Sequence, residues 1–133
     1  MGMLLMAAAC LSGVSGCGES HPMAQVRGKV IFADGNMPQG GIRMVRFECA
    51  ADSNAALRKG ATGPIQDDGS FELYTRRPGD GVHLGKYDVT FLFCRSATDQ
   101  RPMIPAKYTK SAMTPYHVPV EDDVDNLEFK IEM

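Results

Sequence analysis

Three histidines, four cysteines and two groups of acids are the side chains of this 133-residue chain best suited to bind or react. Zinc takes three or four His, Cys, Asp or Glu ligands drawn together. His21, His83 and His117 fall in a polar stretch, a loop and a strand with no ligand spacing, so each is expected as a solvated surface residue. Asp67-Asp68 and the run Glu121-Asp122-Asp123-Val124-Asp125 offer the hard oxygen donors that suit calcium. Neither follows a loop pattern with defined ligand positions, and a solvated acidic turn is the expectation for both. Serine and threonine are plentiful, yet no elbow motif frames one as a nucleophile. The expectation is thus no catalytic residue, no cofactor and no metal. A small hydrolase or a calcium-binding domain drawing on acids near Asp67 or Asp122 is the alternative.

Cys49 and Cys94 pose a separate question. Cys49 shares the inward parity of Val45 and Phe47, whereas Cys94 is out of step with Tyr87, Val89 and Phe91. If their strands are antiparallel neighbours, the two C-terminal ends also lie beyond the ~7 Å Cα separation that a disulfide tolerates. Export would permit the bond chemically. A Cys49–Cys94 disulfide therefore stays open beside the simpler pair of one buried and one partly exposed thiol.

The first sixteen residues carry no charged side chain, and Met3 to Leu11 is an apolar run followed by small residues. That is the layout of a secretory segment leading to a cleavage site. It is shorter than the about 20 apolar residues a membrane-spanning helix needs. Met1-Gly2-Met3 holds neither Lys nor Arg, so the positive end of the segment is the amino terminus alone or lies upstream. Val14-Ser15-Gly16-Cys17 resembles the lipobox of bacterial lipoproteins: an aliphatic residue, two small residues, then cysteine. The resemblance implies diacylglycerol in thioether linkage to Cys17, cleavage before it and acylation of the new amino terminus. Cys10, after Ala7-Ala8-Ala9, is a poorer site because it would leave too short a signal.

Residues 1–16 are thus expected as a signal peptide, 17–24 as a lipidated tether and 25–133 as one domain. The 117 residues left after cleavage suffice to bury roughly two thirds of the unfolded surface. Net charge is −2, with six acids and one base in 121–133, leaving 13 bases against 10 acids elsewhere. That balance lacks the strongly basic face that nucleic-acid binding demands.

The absence of tryptophan, the 14 glycines and the 8 prolines accompany a chain with no long helical period. Alternating apolar residues mark strands at Gln25–Ala33, Ile42–Ala50, Phe71–Thr75, Lys86–Cys94 and Asn126–Glu132. Lys59–Ile65 is a weaker strand, and its Gly63 and Pro64 suit an edge. Thr114–Val120, flanked by prolines, completes seven. Asp34-Gly35-Asn36 and Asp67-Asp68-Gly69-Ser70 are turns. Seven short strands punctuated this way predict an all-β sandwich. Arg95 to Ser111 is a long loop, and Arg101, Met103, Ile104, Lys107 and Tyr108 make it the expected contact surface.

The order of several pieces resembles the carboxypeptidase-regulatory-like, transthyretin-like domains of small lipoproteins, numerous in planctomycete-type bacteria. The pieces are Val26-Arg27-Gly28-Lys29-Val30, Gly41-Ile42-Arg43-Met44-Val45-Arg46-Phe47, Asp68-Gly69-Ser70-Phe71, Pro78-Gly79-Asp80-Gly81, Gly85-Lys86-Tyr87-Asp88-Val89-Thr90 and Ile104-Pro105-Ala106-Lys107-Tyr108. The resemblance implies a seven-stranded immunoglobulin-like (prealbumin/transthyretin-like) β-sandwich and no particular activity. One branch of the transthyretin fold is a purine-pathway hydrolase with a tyrosine-arginine-glycine-serine ending. This chain ends Phe129-Lys130-Ile131-Glu132-Met133 and lacks it. The combined expectation is a non-enzymatic envelope module, membrane-held through Cys17, whose partner is an unknown protein or glycan.

Overall fold

The computed structural model describes residues 21–133. Cys10, Cys17 and the signal segment 1–16 lie outside the described residues. Nine strands follow in order: β1 (Met23–Ala24), β2 (Val26–Phe32), β3 (Ile42–Cys49), β4 (Ala61–Pro64), β5 (Ser70–Glu72), β6 (Val82–His83), β7 (Gly85–Cys94), β8 (His117–Val120) and β9 (Val124–Ile131). Strands fall within or across each of the seven expected stretches, with ends moved by up to three residues. β1 and β6 are additions, each two residues long and too short to show a period.

The strands form three sheets, ordered β5-β2-β9, β4-β3-β7-β8 and β1-β6. The two larger sheets share one core. Aromatic rings meet across it, Phe32 with Phe93 at 5.4 Å, Phe91 with Phe129 at 5.5 Å and Phe47 with Phe129 at 6.3 Å between centroids. This is an all-β fold of facing sheets, in keeping with a β-sandwich.

Period-two alternation explains which faces meet. Val26, Val30 and Phe32 of β2, Val45 and Phe47 of β3, and Tyr87, Val89, Phe91 and Phe93 of β7 are buried, with Phe129 and Ile131 of β9. Arg27, Lys29, Arg46, Glu128 and Lys130 face water. The alternation breaks late in β7, where Thr90 and Cys94 are buried on the side that parity assigns outward.

Each edge of the pair of sheets is managed differently. On one side the chain crosses between sheets at the Asp67-Asp68-Gly69 turn. There β4 and β5 touch through the isolated bridges Thr62↔Tyr74 and Ile65↔Phe71. Gly69 sits at φ 88°, the left-handed region this turn requires. Pro64 ends β4 on that edge, where its missing N–H costs no ladder bond. On the other side β9 is parallel to β2, with one extra residue in β9 between the pairs Val26↔Val124 and Gly28↔Leu127. Gly28 is the reason the strands can approach here. A Cβ on it would lie 2.8 Å from both the Leu127 Cβ and the Phe71 ring.

Tyr116 and Tyr108 cover the outer edge of β9. The Tyr116 hydroxyl accepts from the Lys130 N–H at 3.1 Å and donates to the Lys130 carbonyl. The Tyr108 hydroxyl accepts from the Glu132 N–H at 3.1 Å. The two rings stack at 6.3 Å, and Phe91 and Phe129 pack beneath Tyr116. Side-chain hydroxyls thus occupy backbone groups that would otherwise invite another strand.

Candidate functional site

The distinctive end of the molecule is the one where the described chain begins. β1 pairs with β6 in two register positions, Met23↔His83 and Ala24↔Val82. The loop leading into β6 is tied by Asp80. Its carboxylate accepts from the N–H of Thr75 at 2.8 Å, Arg76 at 2.8 Å and Arg77 at 3.0 Å. Partial desolvation works against ionisation, but the three donors outweigh it and hold the carboxyl below the usual aspartate range. The Thr75 hydroxyl donates to the Gly81 carbonyl at 2.8 Å, and the Gln25 side chain donates to Gly79 at 3.2 Å. Beneath the loop, Tyr87 is fully buried and donates its hydroxyl to the His83 carbonyl at 2.6 Å.

His83 is half-buried, and its Nδ1 is sealed from solvent without a hydrogen-bond partner among the described residues. Desolvation is the largest cause that lowers its pKa below the ordinary value of 6.5, and His21, Lys59 and Arg76 add repulsion. Asp80 pulls the other way and is outweighed. His21 stands edge-on to it, with ring centroids 6.3 Å apart. The two imidazoles border a cleft of about 320 Å³, completed by residues such as Asn54, Leu57, Lys86 and Glu121. His83 is thus only partly the solvated residue expected, with one ring nitrogen withdrawn from solvent. Nothing in linear spacing signals the pairing, because 62 positions separate the two histidines and a two-residue strand joins them.

The third histidine sits elsewhere. His117 Nδ1 lies 2.7 Å from Asp88 Oδ1 as a cross-strand pair of β8 and β7, with His117 well exposed. No nucleophile completes that pair among the hydroxyls that bond nearby backbone. The Ser53 hydroxyl accepts from the Lys86 and Ala55 N–H groups, and the Thr114 hydroxyl donates to the Val89 carbonyl.

The acids are dispersed. Asp67 pairs with Arg43 at 2.6 Å, Asp68 accepts from the hydroxyl and N–H of Ser70, and Asp123 accepts from the Gln25 N–H. Among the described residues no three His, Cys, Asp or Glu side chains are gathered for a metal ion.

Both cysteines are free thiols, and β3–β7 pairing keeps them apart. Cys49 faces Tyr87 while Cys94 faces Ile42 at the opposite end of the same ladder. Seven residues of strand, about 23 Å, separate them. The Cys49–Cys94 disulfide left open by sequence is thus corrected to two separate thiols. Their exposures are also the reverse of what parity suggests, since Cys94 is buried and Cys49 is half-buried.

The Arg95–Ser111 loop is only partly a surface. The Met103 N–H donates to the Phe93 carbonyl, and Ile104 and Tyr108 are buried in the core. Tyr108 lies in the short 3-10 turn Ala106–Tyr108, with the Lys107 ammonium 4.9 Å over its ring. Of the five residues expected as contacts, Arg101, Met103 and Lys107 remain exposed. Comparison with family models, with curated proteins and with solved structures finds no match to this chain.

Proposed function

We propose that the chain is an exported lipoprotein, cleaved before Cys17, whose domain is a non-enzymatic binding or structural module of the cell envelope. The carrying observation is Val14-Ser15-Gly16-Cys17 at the end of an uncharged apolar run and just before the polar residues Gly18-Glu19-Ser20. Each buried methylene contributes about 0.8 kcal/mol, so two or more acyl chains hold a protein firmly where one does not. Among the described residues no helix is long and apolar enough to cross a membrane. The core cluster runs from Ala24 to Ile131, beginning a short tether's length after Cys17. For the domain we favour the immunoglobulin-like, transthyretin-like arrangement, supported by the facing three- and four-stranded sheets.

The strand directions bear on where a partner would sit. β7 runs from Gly85 at the tether end to Cys94, about 30 Å away. The exposed Arg101 and Met103 follow at that far end, where the Met103 N–H donates to the Phe93 carbonyl. A partner protein or glycan would be met there. Intact mass spectrometry of protein purified from its native membrane, beside a Cys17→Ala variant, tests the anchor. The expected mass is residues 17–133 plus two or three acyl chains, lost in the variant. An unlipidated wild-type mass would overturn the reading.

A further inference from the structure

We propose that β1 and β6 form a clasp that His83 holds closed while neutral and that opens when the His83 ring takes up a proton. The clasp is small: two paired positions, Met23↔His83 and Ala24↔Val82, join the start of the domain to the loop before β7. Its cleft is lined by His21 and Pro22, by residues 83–86 and by parts of the 54–57 and 119–121 segments, so parting the strands opens it on the β1 side.

The mechanism follows from the sealed nitrogen. In the neutral ring the proton belongs on Nε2, because an unpaired lone pair at buried Nδ1 is less costly than an orphaned N–H. Protonation places an N–H at Nδ1 with no acceptor, and a buried unsatisfied donor destabilises its surroundings. The charges facing His83 add to this. The His21 imidazole stands against the ring, and Lys59 and Arg76 repel a cation there. Asp80 favours one, but its carboxylate already accepts three backbone N–H groups. Lys86 and Glu121 line the same cleft with opposite charges, and buried Tyr87 presents a neutral hydroxyl to the His83 carbonyl.

A histidine whose folded pKa is depressed contributes stability present above about 6.5 and lost as the pH falls through the folded value. Each pH unit within that window raises the opening equilibrium by up to about tenfold. Ala24 and Val82 of the clasp belong to the shared core, so opening bares two of its side chains while Val89–Phe93 stay packed. The clasp does not depend on the lipid anchor. The consequence that acid frees the domain to swing on its tether does rest on that reading.

Hydrogen exchange of the full chain at pH 7.5 and pH 5, corrected for the intrinsic pH dependence of exchange, reads the clasp alone. The expected result is faster exchange of 23–24 and 82–83 in acid, with Val89–Phe93 unchanged. His83→Phe, which keeps a ring that cannot be protonated, should keep the clasp protected at pH 5. Equal acid loss in that variant, or no acid loss in the wild type, would overturn the proposal. Should His83→Phe not fold, the wild-type His83 imidazole titration by NMR decides: a midpoint at or above that of free histidine overturns it. The mass measurement reads the anchor and not the clasp, so failure of one is distinguishable from failure of the other.

Discussion

Tyr87 and Asp80 show how single side chains carry this end of the fold. Burial, with the Cys49 thiol beside it, pushes the Tyr87 hydroxyl up to about 12. The unfolded chain ionises the same group near 10. The stability this tyrosine contributes is therefore complete below pH 10 and is lost as the pH rises from there through 12. Tyr87→Phe should cost about 1 kcal/mol at neutral pH by orphaning the His83 carbonyl. Thermal melts from pH 7 to 12 should also show the variant losing less of its stability above pH 10 than the wild type. Asp80 behaves oppositely. Its lowered pKa gives stability present above about 3.8 and lost as the pH falls through the folded value. Asp80→Ala should remove about 1–2 kcal/mol at pH 7, since three N–H groups lose a charged acceptor. Urea titration at pH 7 and pH 3 should show that gap shrinking in acid.

Strands in this protein stand or fall by what touches their edges. The β2–β9 contact requires the absence of a side chain at position 28, where a methyl would press on the Leu127 backbone and the Phe71 ring. Gly28→Ala should destabilise by about 1–3 kcal/mol, the usual cost of overpacking, and a denaturant midpoint measures it. On the far side of β9, Tyr116→Phe keeps the ring between Phe91 and Phe129 but frees the Lys130 N–H and carbonyl. A loss of about 1 kcal/mol is expected, with faster aggregation in light scattering because an edge strand is uncovered. The strands themselves were readable from alternation: Val45-Phe47 and Tyr87-Val89-Phe91-Phe93 point inward as their spacing requires. The pair β1–β6 was not. Two residues carry no period, and the pairing exists only because the Asp80-tied loop brings Val82 beside Ala24.

At the scale of the whole molecule, antiparallel pairing decides which distant residues meet. The β3–β7 ladder sends Cys49 and Cys94 to opposite ends, so a non-reduced digest should contain no peptide linking them. Maleimide should label Cys49 slowly in the native protein and Cys94 only after denaturation, since Cys94 is buried against the backbone of Ser96. A cross-linked peptide would contradict the register. The same strand directions put the His21–His83 cleft at one end of β7 and Arg101 with Met103 at the other, about 30 Å away.

What the amino-acid order determined by itself was everything local. Period-two patterning set the strands, Asp-Gly set the turn at 67–70, and the run ending in Cys17 framed the expectation of an exported, lipid-held chain. Parity put Cys94 on the opposite side of β7 from Tyr87, but that side is buried there too. Tertiary structure decided what depends on closing long loops. It buried Ile104 and Tyr108 of the 95–111 excursion, because the open side between β7 and β9 needed a cover. It turned Tyr116 into a partner for the backbone of β9. It also set His21 against His83, two residues far apart in sequence. Side chains that far apart meet only when sheet order and register are fixed, and those follow from burial of the shared core rather than from any neighbouring residue.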